Sequence, residues 1–155
     1  SALVLTAVLI ALATLFTMYT KIPVPGIRGY FNVGDVVIMT SALLLGRKYG
    51  AYIGAIGPAL ADLFLGYAVF VPITFVVKGI EGYLVGTVYN NKTTTSALAA
   101  TILGGIIIVA GYFIAEYFVF DPGVAIASIL TNTIQAVMSV IVSMILYAIL
   151  RKRLG

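Results

Sequence analysis

The sequence predicts an all-α integral membrane protein, a compact bundle of six transmembrane helices with both termini cytoplasmic. Three observations carry that expectation. Of the 155 residues, 62% are apolar and 9% charged, where soluble domains average about 25% charged. Nine basic and five acidic side chains cannot clothe a globule of this size in water, and the mean hydropathy of +1.16 agrees. Finally, the apolar residues fall in runs close to the roughly 20 that cross a bilayer, parted by short polar connections.

The first span covers residues 3–19 and meets no charge before Lys21. It lacks the basic front end and small-residue cleavage pattern of a signal peptide, so it reads as a retained helix. The connection 21–32 contains Pro23, Pro25, Gly26 and Gly29, which forbid a continuous helix. The second span, 33–45, is short for a crossing and stops at Gly46-Arg47-Lys48. The third is 49–67 and the fourth 69–89. Asn90, Asn91, Lys92 and a Thr/Ser run connect to the fifth span, 97–118. Asp121-Pro122-Gly123 makes a turn before the sixth, 124–150, which ends at Arg151-Lys152-Arg153. The expectation is a single membrane domain over 1–155, without internal repeats or an inverted pair of broken helices.

Six spans place both termini on one side with the second and fourth connections. That side carries Arg47, Lys48, Lys92, Arg151, Lys152 and Arg153, against Lys21 and Arg28 opposite. The excess marks the cytoplasmic side, so the connection 21–32 faces outside. A five-span count would split the termini and spoil the charge segregation, which argues against it.

Absent residues exclude chemistry. Without Cys there is no disulfide, thiolate nucleophile or cysteine metal site. Without His the commonest metal ligand and general base are missing, and no cofactor or metal is expected. The cations do not interleave with aromatics, which argues against nucleic acid as a partner.

Polar groups inside spans are expensive and mark function by default. They are Asp35, Asp62, Lys78, Glu81, Glu116, Asn132 and Gln135. By depth nearly all belong to the outer half, and the inner half reads as apolar and small. A pore or proton wire needs polar lining across the whole thickness; a cup open to the outside does not. Lys78 and Glu81 are i,i+3 neighbours, as are Asn132 and Gln135, and Tyr112 and Glu116 are i,i+4, so three helices each carry a polar pair on one face. Tyr67, Tyr83 and Tyr112 offer amphipathic walls for a flat ring. A plainer reading stands beside this one. Lys78 and Glu81 also suit a structural ion pair, Asp35 and Asp62 the headgroup level, Glu116 a solvated end, and the two amides plain helix–helix bonds.

Small residues form a second pattern. Ala7 and Ala11 make a small-xxx-small pair on the first span, with Ala13 nearby. The third carries Gly50, Gly54, Gly57 and Ala61, and the fourth Gly79, Gly82 and Gly86. Such faces let helices approach closely.

The runs Phe31-Asn-Val-Gly-Asp35, Ala42-Leu-Leu-Leu-Gly46, Gly54-Ala-Ile-Gly57-Pro-Ala-Leu-Ala-Asp62 and Val77-Lys78-Gly79-Ile-Glu-Gly82 resemble the substrate-binding S components of energy-coupling factor (ECF) vitamin transporters. The likeness is to the branch with hydroxymethylpyrimidine, pyridoxine and riboflavin-type members, and it covers essentially the whole chain. It implies a multi-pass subunit of a prokaryotic cell membrane that captures a small vitamin or vitamin precursor from outside, under a lid formed by the first loop. It also implies toppling on a transmembrane coupling subunit driven by two ATPase subunits. Ala7 and Ala11 match the family's docking motif for that coupling subunit. On this reading Lys78, Glu81, Tyr112, Glu116, Asn132 and Gln135 contact the ligand, with Asp35, Asp62 and Tyr67 shaping the site. A small heteroaromatic suits the mixture of charges and amides. The chain has no Gly-x-x-x-x-Gly-Lys-[Ser/Thr] loop for binding ATP. Two other classes are a stand-alone carrier or channel and an intramembrane aspartyl protease. For the protease, Ala-Asp62 and Val-Gly-Asp35 do not match the Tyr-Asp and Gly-x-Gly-Asp pairing, so no enzyme is expected.

Overall fold

The computed structural model describes residues 1–89 and 93–154. Asn90, Asn91 and Lys92, the last counted above among the cytoplasmic cations, lie outside the described residues. The described residues form six helices and one small hairpin. In order they are α1 (Ala2–Tyr19), β1 (Ile22–Pro23), β2 (Tyr30–Phe31), α2 (Asp35–Leu45), α3 (Arg47–Leu65), α4 (Phe70–Val88), α5 (Thr94–Val119) and α6 (Pro122–Leu154).

α1, α4, α5 and α6 are long and apolar enough to cross a membrane. α3 has 19 residues, about 28 Å at 1.5 Å per residue, but its apolar run is interrupted by Arg47, Lys48 and Asp62. At 11 residues, α2 reaches only about 16 Å, so the second predicted span is helical over only part of a membrane's thickness. Asp35 through Leu43 are all buried, and α2 touches each of the other five helices. It is a plug held by protein on every side, entered through an extended segment that ends at Gly34.

The turn from α2 to α3 is the single residue Gly46, whose φ of 102° lies in the left-handed region that glycine tolerates best. Arg47 and Lys48 therefore open α3 instead of preceding it.

The glycines predicted to pack do so. A Cβ on Gly54 would stand 2.2 Å from the Lys78 carbonyl oxygen, and one on Gly50 2.5 Å from that of Gly82. α3 and α4 thus cross with their backbones in contact, and Gly57 admits Ala13 of α1. Around the glycines, Ile38, Ile53 and Ala13 fill one core cluster. Met39, Val85, Ile108 and Tyr147 belong to a second between α2, α4, α5 and α6.

Leu3, Val8, Leu12, Ile106, Ile114, Ile141 and Ile145 among others remain exposed. On a soluble protein such a surface would aggregate; here it is the lipid-facing surface. α6, with 33 residues, is about 50 Å long and carries its terminal cations beyond a hydrocarbon core of about 30 Å.

The connection 21–32 folds as an antiparallel hairpin, Ile22 opposite Phe31 and Pro23 opposite Tyr30. It lies over the end of the bundle where α2 and α4 start and where α3 and α5 finish.

Candidate ligand-binding site

Beneath the hairpin, five helices direct polar side chains at one another. α4 contributes Thr74, Lys78 and Glu81, successive turns of one face; α5 contributes Tyr112 and Glu116; α6 contributes Ser128, Asn132 and Gln135. α3 supplies Asp62 and α2 supplies Asp35 as its first residue.

The floor is an ion pair. Lys78 Nζ lies 2.9 Å from Asp35 Oδ1, with side chains 2% and 0% exposed. A helical side chain leans toward its helix's N-terminus, which carries the lysine toward the start of α2. The plainer alternative of a Lys78–Glu81 ion pair is thereby corrected: the partner comes from another helix. Glu81 is fully buried, and neither of its carboxylate oxygens finds a hydrogen bond among the described residues. It sits behind the cavity and not in its wall.

Gln135 fixes the other side of Asp35. Its Nε2 donates to Asp35 Oδ2 at 2.9 Å, while its Oε1 accepts from the Asn32 backbone N–H at 3.1 Å. Asn32 Oδ1 in turn accepts from the Gly34 N–H at 2.9 Å. The root of the hairpin is therefore tied to the floor of the site.

The walls are paired too. Tyr30 donates its hydroxyl to Asp62 Oδ1, latching the hairpin to α3. Burial first, and then the neighbouring Asp62 carboxylate, push the Tyr30 phenol above its ordinary value, so it remains a donor. Thr74 and Tyr112 share a hydrogen bond of 2.6 Å, and Ser128 donates to Glu116 Oε2 at 2.6 Å. Asn132 lines the cavity with no side-chain hydrogen bond among the described residues. Asp35, Asp62 and Glu116, predicted either to serve the site or to sit in solvated positions, are all buried.

Above lies a ring of aromatics. Tyr30 meets Tyr67 edge-on at 4.7 Å, and Phe70 packs against Phe120 at 5.6 Å. Lys21 lies 4.9 Å over the Tyr67 ring and Arg28 5.2 Å over Phe120. Tyr67 is thus a rim residue. The space enclosed is about 40 Å³, room for a few waters and far below the roughly 300 Å³ of an ordinary ligand pocket. Ile27, Gly29 and Tyr30 of the hairpin, with Asn32 beside it, form part of the cavity lining.

Of the residues the sequence singled out, the cavity brings together Asp62, Lys78, Tyr112, Glu116, Asn132 and Gln135, with Asp35 bonded directly beneath. Tyr83 does not belong. It is exposed with Arg47 5.7 Å over its ring, because five residues on from Lys78 is about 140° round the helix. Thr17, Tyr30, Asn32, Phe70, Thr74 and Ser128 also line the cavity and were missed. Thr74 and Ser128 had a signal, each standing four residues before a polar residue already noted. Tyr30 had none, and Asn32 stood only within the Phe31–Asp35 run that carries the family likeness.

Below Glu81 the buried polar groups are mainly hydroxyls, a modest correction to an inner half read as apolar. Thr101 turns back onto the Ala97 and Leu98 carbonyls, and Ser143 onto Val140 and the Met39 sulfur. Tyr147 bonds to the Tyr89 hydroxyl. No ion pair beyond Lys78–Asp35 is present among the described residues, so no charged path continues the site across the membrane.

A helical membrane bundle with an enclosed polar chamber toward one end is a protein built to hold a small molecule. The chain belongs to the family described as ECF-type riboflavin transporter, S component, whose model matches residues 1–152. It is 41% identical over 145 residues to a Pyrococcus woesei protein described as an uncharacterized protein in the gap 3′ region, covering 92% of this chain and 96% of that one. It is 28% identical over 148 residues to the thiamine precursor transporter HmpT of Lactococcus lactis subsp. cremoris, covering 95% of this chain and 83% of the relative. The chain is thus the membrane-integral, substrate-binding S component of an ECF transporter, and not an enzyme. S components bind small vitamin ligands and work with ECF modules.

Proposed function

We propose that the ligand is a small, uncharged or weakly basic heteroaromatic vitamin precursor, of the hydroxymethylpyrimidine or pyridoxine kind, held in the chamber beneath the hairpin. The observation that carries this reading is the Lys78–Asp35 pair at 2.9 Å. Among the described residues Lys78 is the only cation lining the chamber, and its charge is already answered. Asp62 and Glu116 add two more carboxyl groups to the wall. An anionic vitamin such as lipoate would meet three carboxyl groups around one ammonium, and like charges at close range disfavour it. A ring with exocyclic N–H or O–H groups finds acceptors at Asp62 and Glu116 and an unoccupied amide at Asn132. Phe70, Tyr112 and Tyr30 supply faces for stacking. The relative named as a thiamine precursor transporter supports the same class.

The cations Arg47, Lys48, Arg151, Lys152 and Arg153 support cytoplasmic termini, which sets the chamber toward the outside. The Tyr30–Asp62 latch supports a hairpin that opens for capture and closes over the ligand. Ala7 and Ala11 are both exposed on α1, which supports docking of a transmembrane coupling subunit there, with two ATPases driving delivery. Glu81, behind the floor, shapes the site through the Lys78–Asp35 pair and does not touch the ligand.

A mass spectrum of the small molecule released from purified protein tests the ligand class. An amine- or hydroxyl-bearing monocyclic heteroaromatic is expected. Riboflavin or a carboxylate vitamin in its place overturns this assignment. In proteoliposomes holding this chain alone, binding without flux is expected, whereas ligand flux without partners or ATP would make it a stand-alone carrier.

A further inference from the structure

At the end of the bundle away from the ligand chamber, α5 and α6 part around a cavity of about 520 Å³. Thr94, Met144, Tyr147, Ala148, Arg151 and Lys152 line it. Its rim is cationic, since Arg151 and Lys152 stand in the last turn of α6 with Arg153 beside them. Its inner wall is apolar: Met144 and Ala148 continue it along α6 into the bilayer. Tyr147 closes the back. It is 2% exposed, hydrogen-bonded to the Tyr89 hydroxyl, with the two rings edge to face at 5.4 Å. The exposed Arg151 guanidinium lies 5.7 Å over the Tyr147 ring at the rim of the cavity.

Among the described residues these cations have no salt-bridge partner. The chain has five carboxylates. Asp35, Asp62, Glu116 and Asp121 belong to the chamber end and Glu81 to the middle of α4. The one ion pair among the described residues is Lys78–Asp35. Two unanswered cations over an apolar recess at a membrane face call for an anion with a hydrocarbon tail. Arg offers a planar fork that matches phosphate oxygens, and Lys a mobile point charge beside it.

We propose that this recess is a binding site for an anionic phospholipid. The phosphate lies between Arg151 and Lys152, with the Thr94 hydroxyl able to donate to it, and an acyl chain runs along Met144 and Ala148. A lipid held there ties the start of α5 to the end of α6 at the face opposite the chamber.

The test is native mass spectrometry of protein delipidated and then offered equal phosphatidylglycerol and phosphatidylcholine. Wild type should retain phosphatidylglycerol over phosphatidylcholine by about tenfold. Arg151→Gln/Lys152→Gln should lose the preference, and Arg47→Gln/Lys48→Gln, another cation pair, should keep it. Lys152→Gln alone changes an exposed position without threatening the fold, and should reduce the preference about threefold. An unchanged preference in the Arg151/Lys152 variants, or an equal loss in the Arg47/Lys48 variant, overturns the site. Displacement of the lipid by millimolar inorganic phosphate would make it a free-anion site and overturn the lipid assignment.

Discussion

Lys78 of α4 and Asp35, the first residue of α2, form a buried ion pair of 2.9 Å, and Gln135 of α6 donates to the second Asp35 oxygen at 2.9 Å. Three helices meet at one carboxylate. Removing one member of such a pair leaves an uncompensated buried charge, which costs about 3–5 kcal/mol. Lys78→Met should therefore lower the melting temperature sharply and abolish ligand binding. Lys78→Met/Asp35→Leu should recover much of the stability without recovering binding. Thermal unfolding in detergent with titration of each variant checks this; a double variant no more stable than the single would contradict it.

The α3–α4 crossing leaves no room for a methyl group. A Cβ on Gly54 would lie 2.2 Å from the Lys78 carbonyl oxygen, so Gly54→Ala must push the helices apart and carry Lys78 with them. A loss of about 1–3 kcal/mol is expected, together with weaker binding. Gly26, with nothing near its Cβ position, is the comparison for local strain, since its φ of 87° penalises Ala without touching the packing.

How much of this was legible in the sequence depends on the range of each interaction. The long apolar runs gave the helices, and the i,i+3 and i,i+4 spacings correctly placed Lys78, Tyr112, Glu116, Asn132 and Gln135 on inward faces. Within-helix spacing also suggested Lys78–Glu81, because it cannot see a partner 43 residues away. The half-length of α2 was visible as a short run, but its role as a plug was not. Its nine buried residues resemble a lipid-facing segment in composition. Tyr30 and Asn32 lie in or beside a hairpin with no periodicity to mark them, and only the folded chain shows that they line the cavity and bond to Asp62 and Gln135.

The hairpin latch predicts a kinetic effect. Tyr30→Phe removes the hydroxyl that donates to Asp62 and leaves the ring against Tyr67. The dissociation rate of the ligand should rise about tenfold, and the melting temperature should fall moderately because the buried Asp62 loses a donor, a cost of about 1–3 kcal/mol. Stopped-flow release measures it, and an unchanged rate would show that the latch does not gate the chamber.

The latch also has a pH signature. The Tyr30 phenol is raised above its ordinary value by burial and by Asp62. A group whose folded value is raised contributes fully below its unfolded value, about 10 for tyrosine, and loses that contribution only as pH climbs through the higher folded value. Ligand release should thus stay flat from pH 8 through about 10, where an unshifted tyrosine would be half ionised. A rise in release across that window that disappears in Tyr30→Phe would contradict the shifted phenol.

The exposed pair Ala7 and Ala11 predicts a separable surface. Ala7→Trp should prevent co-purification with the coupling subunit and leave ligand affinity unchanged. Loss of both together would place Ala7 in the folding of the bundle instead of in docking.

The most direct test of the account is calorimetric titration of purified wild type, Glu116→Gln and Asn132→Ala with hydroxymethylpyrimidine, pyridoxine and lipoate. The account predicts micromolar or tighter binding of one of the two uncharged or weakly basic rings and none of lipoate. It also predicts a loss of about tenfold or more in each variant. Binding of lipoate in preference to both rings, or ring binding indifferent to Glu116 and Asn132, would contradict it.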